Sequence, residues 1–175
     1  MAEKLLEIRD LNVTYNTDDG VVYAVNGLDL TVNKGQVLGL VGETGAGKTT
    51  MALSILRLLP DRVGKITKGD IVLDGMDIIR CTEADMKLIR GNKVSMIFQD
   101  PMTSLNPILT VGDQIAEVLE LHNKGMSKED IQSRVDEMLR LVGISPERKN
   151  DYPHQFSGGM KQRVVIAIAL ACTPE

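Results

Sequence analysis

The run Gly42-Glu43-Thr44-Gly45-Ala46-Gly47-Lys48-Thr49 constrains this chain more than any other stretch. It spells G-x-x-x-x-G-K-T, a phosphate-cradling loop that carries meaning only between a strand and a helix. Both flanks fit. Val37-Leu38-Gly39-Leu40-Val41 is an apolar run of the kind that forms a buried parallel strand. Met51 to Leu59 reads as a helix that Pro60 closes. Glycines let backbone N–H groups wrap a phosphate without side-chain clash, and a helix N-terminus adds partial positive charge. Lys48 is expected to reach the β- and γ-phosphates, and the Thr49 hydroxyl to bind Mg²⁺, with Gly42 through Thr50 forming the cradle. The expectation is a nucleoside triphosphate site.

With 175 residues the chain can bury a sizeable core, and 25% charged with 43% hydrophobic residues mark a soluble globular class. A net charge of −4 counts against general affinity for a nucleic-acid backbone, so no nucleic-acid partner is expected. Cys81 and Cys172 are far apart and lack ligand spacing, which suits reduced thiols in a cytosolic protein. The N-terminus has no apolar signal region. The longest apolar run, Val164 to Cys172, falls short of the roughly 20 residues of a membrane-spanning helix.

Leu6, Ile8, Leu11, Val13 and Tyr15 come close to alternation and predict a strand with one buried face. Asn16 to Gly20 is turn chemistry, Val21 to Val25 a returning strand, and Asn26-Gly27 another turn before Leu28 to Val32. Tyr15 reads either as a core or edge residue or as an aromatic near the loop that stacks on a base. Gly69 to Ile78 predicts a strand with a tight Asp-Gly turn, and Glu83 to Arg90 a short helix capped by Thr82. Val94-Ser95-Met96-Ile97-Phe98 predicts a further buried strand that ends at Gln99-Asp100-Pro101. A polar residue at a strand's carboxyl end lies near the ligand crevice of an open α/β sheet. Gln99 is therefore either a contact to metal or water, or an ordinary loop glutamine.

Thr110 and Ser127 are N-caps for helices from Val111 to about His122 and from Lys128 to Val142. Ile131, Val135, Met138, Leu139 and Val142 give the second an apolar stripe, and Gly143 closes it. Strand signals vanish over this region, which predicts a helical subdomain set into an α/β core. Ser157 then caps a helix that opens on Gly158-Gly159, a costly pair unless the backbone must stay bare. A bare helix start behind a serine reads as a second phosphate site, facing the same nucleotide or one on another molecule. His154 stands alone and reads as structural or surface.

Three ordered motifs make the sequence similar to the ATPase subunits of ATP-binding cassette transporters: the P-loop at Gly42 to Thr49, the Q-loop at Gln99, and the signature Phe156-Ser157-Gly158-Gly159-Met160. The signature departs from Leu-Ser-Gly-Gly-Gln at both ends. Those departures, with Met96 to Pro107, resemble the bacterial dipeptide, oligopeptide and nickel importers. The resemblance implies an α/β fold: a P-loop core with an N-terminal antiparallel β-subdomain and an inserted α-helical subdomain. The segments implied are 1–99 for the ATP-binding core, 100–156 for the helical subdomain and 157–175 for the signature helix. Implied cofactors are ATP and Mg²⁺, with Tyr15 stacking on adenine and Lys48 and Gln99 serving catalysis. Thr49 and Gln99 are the implied metal contacts. Ser157, Gly158 and Gly159 would touch ATP held by a second ATP-binding subunit, head to tail. Transmembrane permease subunits would dock on the helical region, a solute-binding protein would act upstream, and the subunit would lie peripherally on the cytoplasmic face of the membrane.

The family carries an apolar strand ending in Asp-Glu after the signature helix, then a histidine switch. This sequence ends at Thr173-Pro174-Glu175, before either. Asp100 is not in the equivalent position of the catalytic glutamate. The expectation is the N-terminal part of an importer ATPase, with little turnover of its own. A nucleotide-binding fragment without hydrolysis is the competing reading. A DNA-repair cassette ATPase is disfavoured by the acidic balance and the short span between Gln99 and Phe156.

Overall fold

The structure, a computed structural model, describes residues 3–174. The chain divides into two compact units, Met1–Lys87 and Leu88–Glu175.

The first unit is built on an antiparallel sheet of order β2-β1-β3-β4. Its strands are β1 (Lys4–Thr17), β2 (Gly20–Asn33), β3 (Gly64–Leu73) and β4 (Met76–Asp77). Ile8, Leu11 and Val13 of β1 are buried, as alternation demands, but the step from Ile8 to Leu11 is three residues. A bulge absorbs the extra residue. Asp10 has φ 46°, and the pairing with β2 shifts register between Ile8 and Leu11. The shift returns the apolar set to one face.

Asn26-Gly27, expected as a turn, does not interrupt β2. Gly27 (φ 66°) gives its N–H to the Asn12 side chain at 3.0 Å, so a bulge in one strand answers a bulge in the other. The Asp74-Gly75 turn is left-handed at both residues, φ 47° and 76°, as a two-residue hairpin loop requires.

Between β2 and β3 in the chain lies α1 (Lys48–Ile55), which ends four residues before Leu59, the end that the apolar run suggests. Arg57 turns left-handed at φ 51°, Leu58 N–H bonds back to Leu53 C=O at 2.9 Å, and Arg57 N–H to Ser54 C=O at 3.1 Å. This paired C-terminal closure ends the helix before Pro60 can. Helix α2 (Glu83–Ile89) follows β4, with Thr82 and Asp85 capping it reciprocally.

Two strands expected from apolar runs are not formed. Val37 to Val41 is irregular and open, with Val37 98% and Val41 91% exposed. Val94 to Phe98 makes only an isolated bridge, from Val94 to Arg90, and Phe98 is 48% exposed. A parallel strand needs a neighbouring strand to pair its backbone groups. Among the described residues, no strand of the sheet pairs with either run.

The second unit is helical. Its elements are α3 (Pro101–Ser104), α4 (Val111–His122), α5 (Lys128–Leu141), two short 3₁₀ turns (Pro146–Asn150 and Pro153–Gln155), and α6 (Gly158–Leu170). The expected caps are in place: Thr110, Ser127 and Ser157 each accept an N–H from the first turn of their helix. Val111, Ile115, Leu119, Val135, Leu139 and Val164 form the buried centre where α4, α5 and α6 meet. Buried Gln114 braces the approach to α4: its Nε2 donates to Asn106 C=O at 3.0 Å, and its Oε1 accepts Asn106 N–H at 2.9 Å. Among the described residues, no helix is long and apolar enough to cross a membrane.

Candidate functional site

The P-loop lies in the first unit, exposed from Gly42 to Ala46. Gly45 (φ 86°) and Gly47 (φ 80°) are left-handed, a conformation that turns successive N–H groups toward one side. At Gly47 a side chain would also force the backbone apart, because a Cβ would collide with the Ala24 carbonyl oxygen. Gly47 is the N-cap of α1 and has nothing to offer its first-turn N–H groups. The helix starts of α4, α5 and α6 are capped by their own side chains; that of α1 is open to an anion.

Lys48 turns back over the loop. Its Nζ donates to Gly42 C=O and Glu43 C=O, each at 2.6 Å. An ammonium group is thus held against the backbone of the loop. The donor set of left-handed glycines, an uncapped helix start and one ammonium group fits a triphosphate. Thr49 is exposed at the same helix start, and its hydroxyl is of the oxygen type that a hard cation could take.

Tyr15 reaches this helix. Its hydroxyl lies 3.2 Å from Thr50 Oγ1, and the ring is half-buried beside Gly64. The structure therefore brings Tyr15 and Gly42 to Thr50 together. An open cleft of about 480 Å³ beside the loop is lined by Ala24, Asp29, Val41, Ala46, Lys48 and Met51, among others. Ala24 and Asp29 had no motif to mark them; only the contact of Gly47 with β2 puts them there.

Gln99 and the signature lie in the second unit. Gln99 is exposed at a bend just before α3. The run leading to it is tied by Ser95, whose hydroxyl donates to Ala169 C=O at 2.8 Å near the end of α6. Ser157 opens the same helix, accepting Met160 N–H at 3.4 Å, and Gly158 and Gly159 are exposed with open space where a Cβ would stand. His154 is exposed and stacks on Tyr152 at 5.8 Å between ring centroids. Among the described residues, no cluster of His, Cys, Asp and Glu suits a metal ion on its own. Cys81 and Cys172 are free thiols. Burial pushes the Cys172 thiol up, against the opposing pull of the Asn123 side chain and the Arg134 charge.

The profile of the ABC transporter family matches residues 25–175. The chain belongs to the ABC transporter family. Two relatives of this cassette are the dipeptide transport ATP-binding protein DppD of Bacillus subtilis and the oligopeptide transport ATP-binding protein OppD of Salmonella typhimurium. DppD is 49% identical over 175 residues, covering 99% of this chain and 52% of DppD. OppD is 48% identical over 176 residues, covering 99% of this chain and 52% of OppD. The chain thus spans about half the length of the curated relatives it matches. Among solved structures, the dimeric ATP-binding cassette MJ0796 bound to ADP and Pi is similar at a TM-score of 0.86. That match is 29% identical and covers 97% of this chain and 71% of MJ0796. The ABC cassette architecture accounts for the order seen here: an antiparallel β-subdomain and P-loop helix first, a helical unit after.

Proposed function

We propose that this ABC cassette is the ATP-binding part of an importer subunit that binds and hydrolyses MgATP to drive uptake of di- and oligopeptides or related solutes. The uncapped, glycine-built start of α1 with Lys48 folded over it is the observation that carries the reading. Similarity over nearly the whole chain to DppD and OppD supports the solute class.

On this reading, Lys48 exchanges two loop carbonyls for phosphate oxygens, and the first-turn N–H groups of α1 hold the rest of the phosphate chain. The Tyr15 ring covers the base. Thr49 would hold Mg²⁺, which supplies charge neutralisation at the phosphates when bound; Gln99 is proposed as a metal contact from its place in the sequence motif. Ser157, Gly158 and Gly159 present the start of α6 to the nucleotide of a second ATP-binding subunit. The helical region around residues 100–155 docks on permease subunits, fed by a solute-binding protein, with the subunit peripheral on the cytoplasmic face of the membrane.

Phosphate release from MgATP by the whole protein, wild type against Lys48→Ala, tests this. Release that disappears in the variant supports the ATPase. Tight MgATP binding without release supports the competing reading, a nucleotide-binding module.

A further inference from the structure

Arg148 touches the signature stretch at both ends. It belongs to the 3₁₀ turn Pro146–Asn150, and its side chain is 33% exposed. Its Nε donates to Asp151 Oδ2 at 2.7 Å, and one terminal nitrogen to Gln155 C=O at 3.1 Å. The other reaches Met160 Sδ at 3.5 Å. The guanidinium carbon lies 4.2 Å from the centroid of the Phe156 ring, itself only 5% exposed. One planar cation therefore contacts the residue before the signature, its first residue and its last. Asp151, which orients that cation, accepts Val111 N–H through its own carbonyl at 2.9 Å, so the assembly is anchored to the start of α4.

An isolated ion pair at this exposure contributes little to stability. What distinguishes Arg148 is where its remaining surface goes. A fork bonds Gln155 and Met160 while the flat face packs on Phe156, and no lysine can do both. Ser157, Gly158 and Gly159 lie between these contacts; the Ser157 hydroxyl caps α6, and the two glycines add no side-chain bulk to hold the turn. We infer that Arg148 is the positioning residue of the signature. It sets the direction in which the start of α6 faces the nucleotide of a second subunit, without touching that nucleotide. This rests on the reading of Ser157 to Gly159 given above.

The test uses the whole protein carrying Arg148→Met, Arg148→Lys or Asp151→Asn. Three quantities are measured: affinity for a fluorescent ATP analogue, MgATP-dependent pairing by sedimentation, and kcat with KM for phosphate release. Arg148→Met is expected to keep analogue affinity within about twofold, while pairing weakens and kcat falls by about tenfold or more. Arg148→Lys should recover only part of the loss, and Asp151→Asn should fall between it and wild type. Pairing and kcat within twofold of wild type in Arg148→Met overturn the inference. If Arg148→Met does not fold, Asp151→Asn decides: weakened pairing at an unchanged melting midpoint supports the role, and unchanged pairing removes it. Wild-type protein that binds the analogue yet never pairs with MgATP defeats the signature reading itself, and the role of Arg148 with it.

Discussion

The Tyr15 hydroxyl and the Thr50 hydroxyl lie 3.2 Å apart, joining the edge of β1 to the first turn of the P-loop helix. The bond fixes where the tyrosine ring stands relative to the phosphate cradle. If the ring covers the base, ring and hydroxyl have separable effects. Tyr15→Phe should cost about 1 kcal/mol of stability and leave ATP affinity nearly unchanged. Tyr15→Ala should weaken ATP binding by roughly three- to tenfold. Calorimetric titration of both variants distinguishes them; equal losses would assign the effect to the hydroxyl.

Gly45 and Gly47 offer a second contrast, since both are left-handed but only Gly47 faces a backbone oxygen. Gly45→Ala should cost about 1–2 kcal/mol, the strain of the conformation alone. Gly47→Ala should cost clearly more, because β2 must move to admit the methyl. Urea unfolding of the two variants gives the order directly.

The legible parts of this fold were those whose causes are local. Thr82, Thr110, Ser127 and Ser157 cap helices because a hydroxyl reaches an N–H three residues on, which sequence alone displays. The Asp74-Gly75 hairpin is equally local. The P-loop was legible because its glycines and Lys48 are contiguous. Val37 to Val41 and Val94 to Phe98 misled because an apolar run becomes a parallel strand only when other strands flank it. Asn26-Gly27 misled for a related reason: the Asn12 side chain, distant in sequence, turns a would-be hairpin corner into a bulge. Arg148 carried no signal, since its contacts depend on the 3₁₀ turns that fold the chain back on itself.

Asp85 gives a pH dependence of known sign. Bonds from the Thr82 hydroxyl and then the Thr82 N–H hold its carboxyl below the usual carboxylate range. Folding therefore favours the ionised form. Its contribution is complete above about pH 4, the ordinary aspartate value, and fades as pH falls through the lower folded value. Asp85→Asn should lower the melting midpoint at pH 6 and flatten its fall toward pH 3. Parallel curves for variant and wild type would show that the cap carries no charge effect.

Ser127 and Ser157 cap helices in the same way, yet only Ser157 is assigned to a nucleotide. Each change to alanine should cost about 1 kcal/mol in chemical unfolding. Only Ser157→Ala should also reduce MgATP-dependent pairing of the whole protein. Equal pairing in the two variants would leave Ser157 a cap and nothing more.

On the proposed function, the open start of α1, with Lys48 folded over it, holds the phosphates of ATP. The most direct measurement is a thermal melt of the whole protein with and without MgATP, for wild type and Lys48→Ala. A ligand bound only by the folded state at about a hundred times its Kd adds roughly 2.7 kcal/mol, enough to move the midpoint by several degrees. That rise is expected in wild type and is expected to disappear in Lys48→Ala. No rise in wild type, or an equal rise in both, would contradict it.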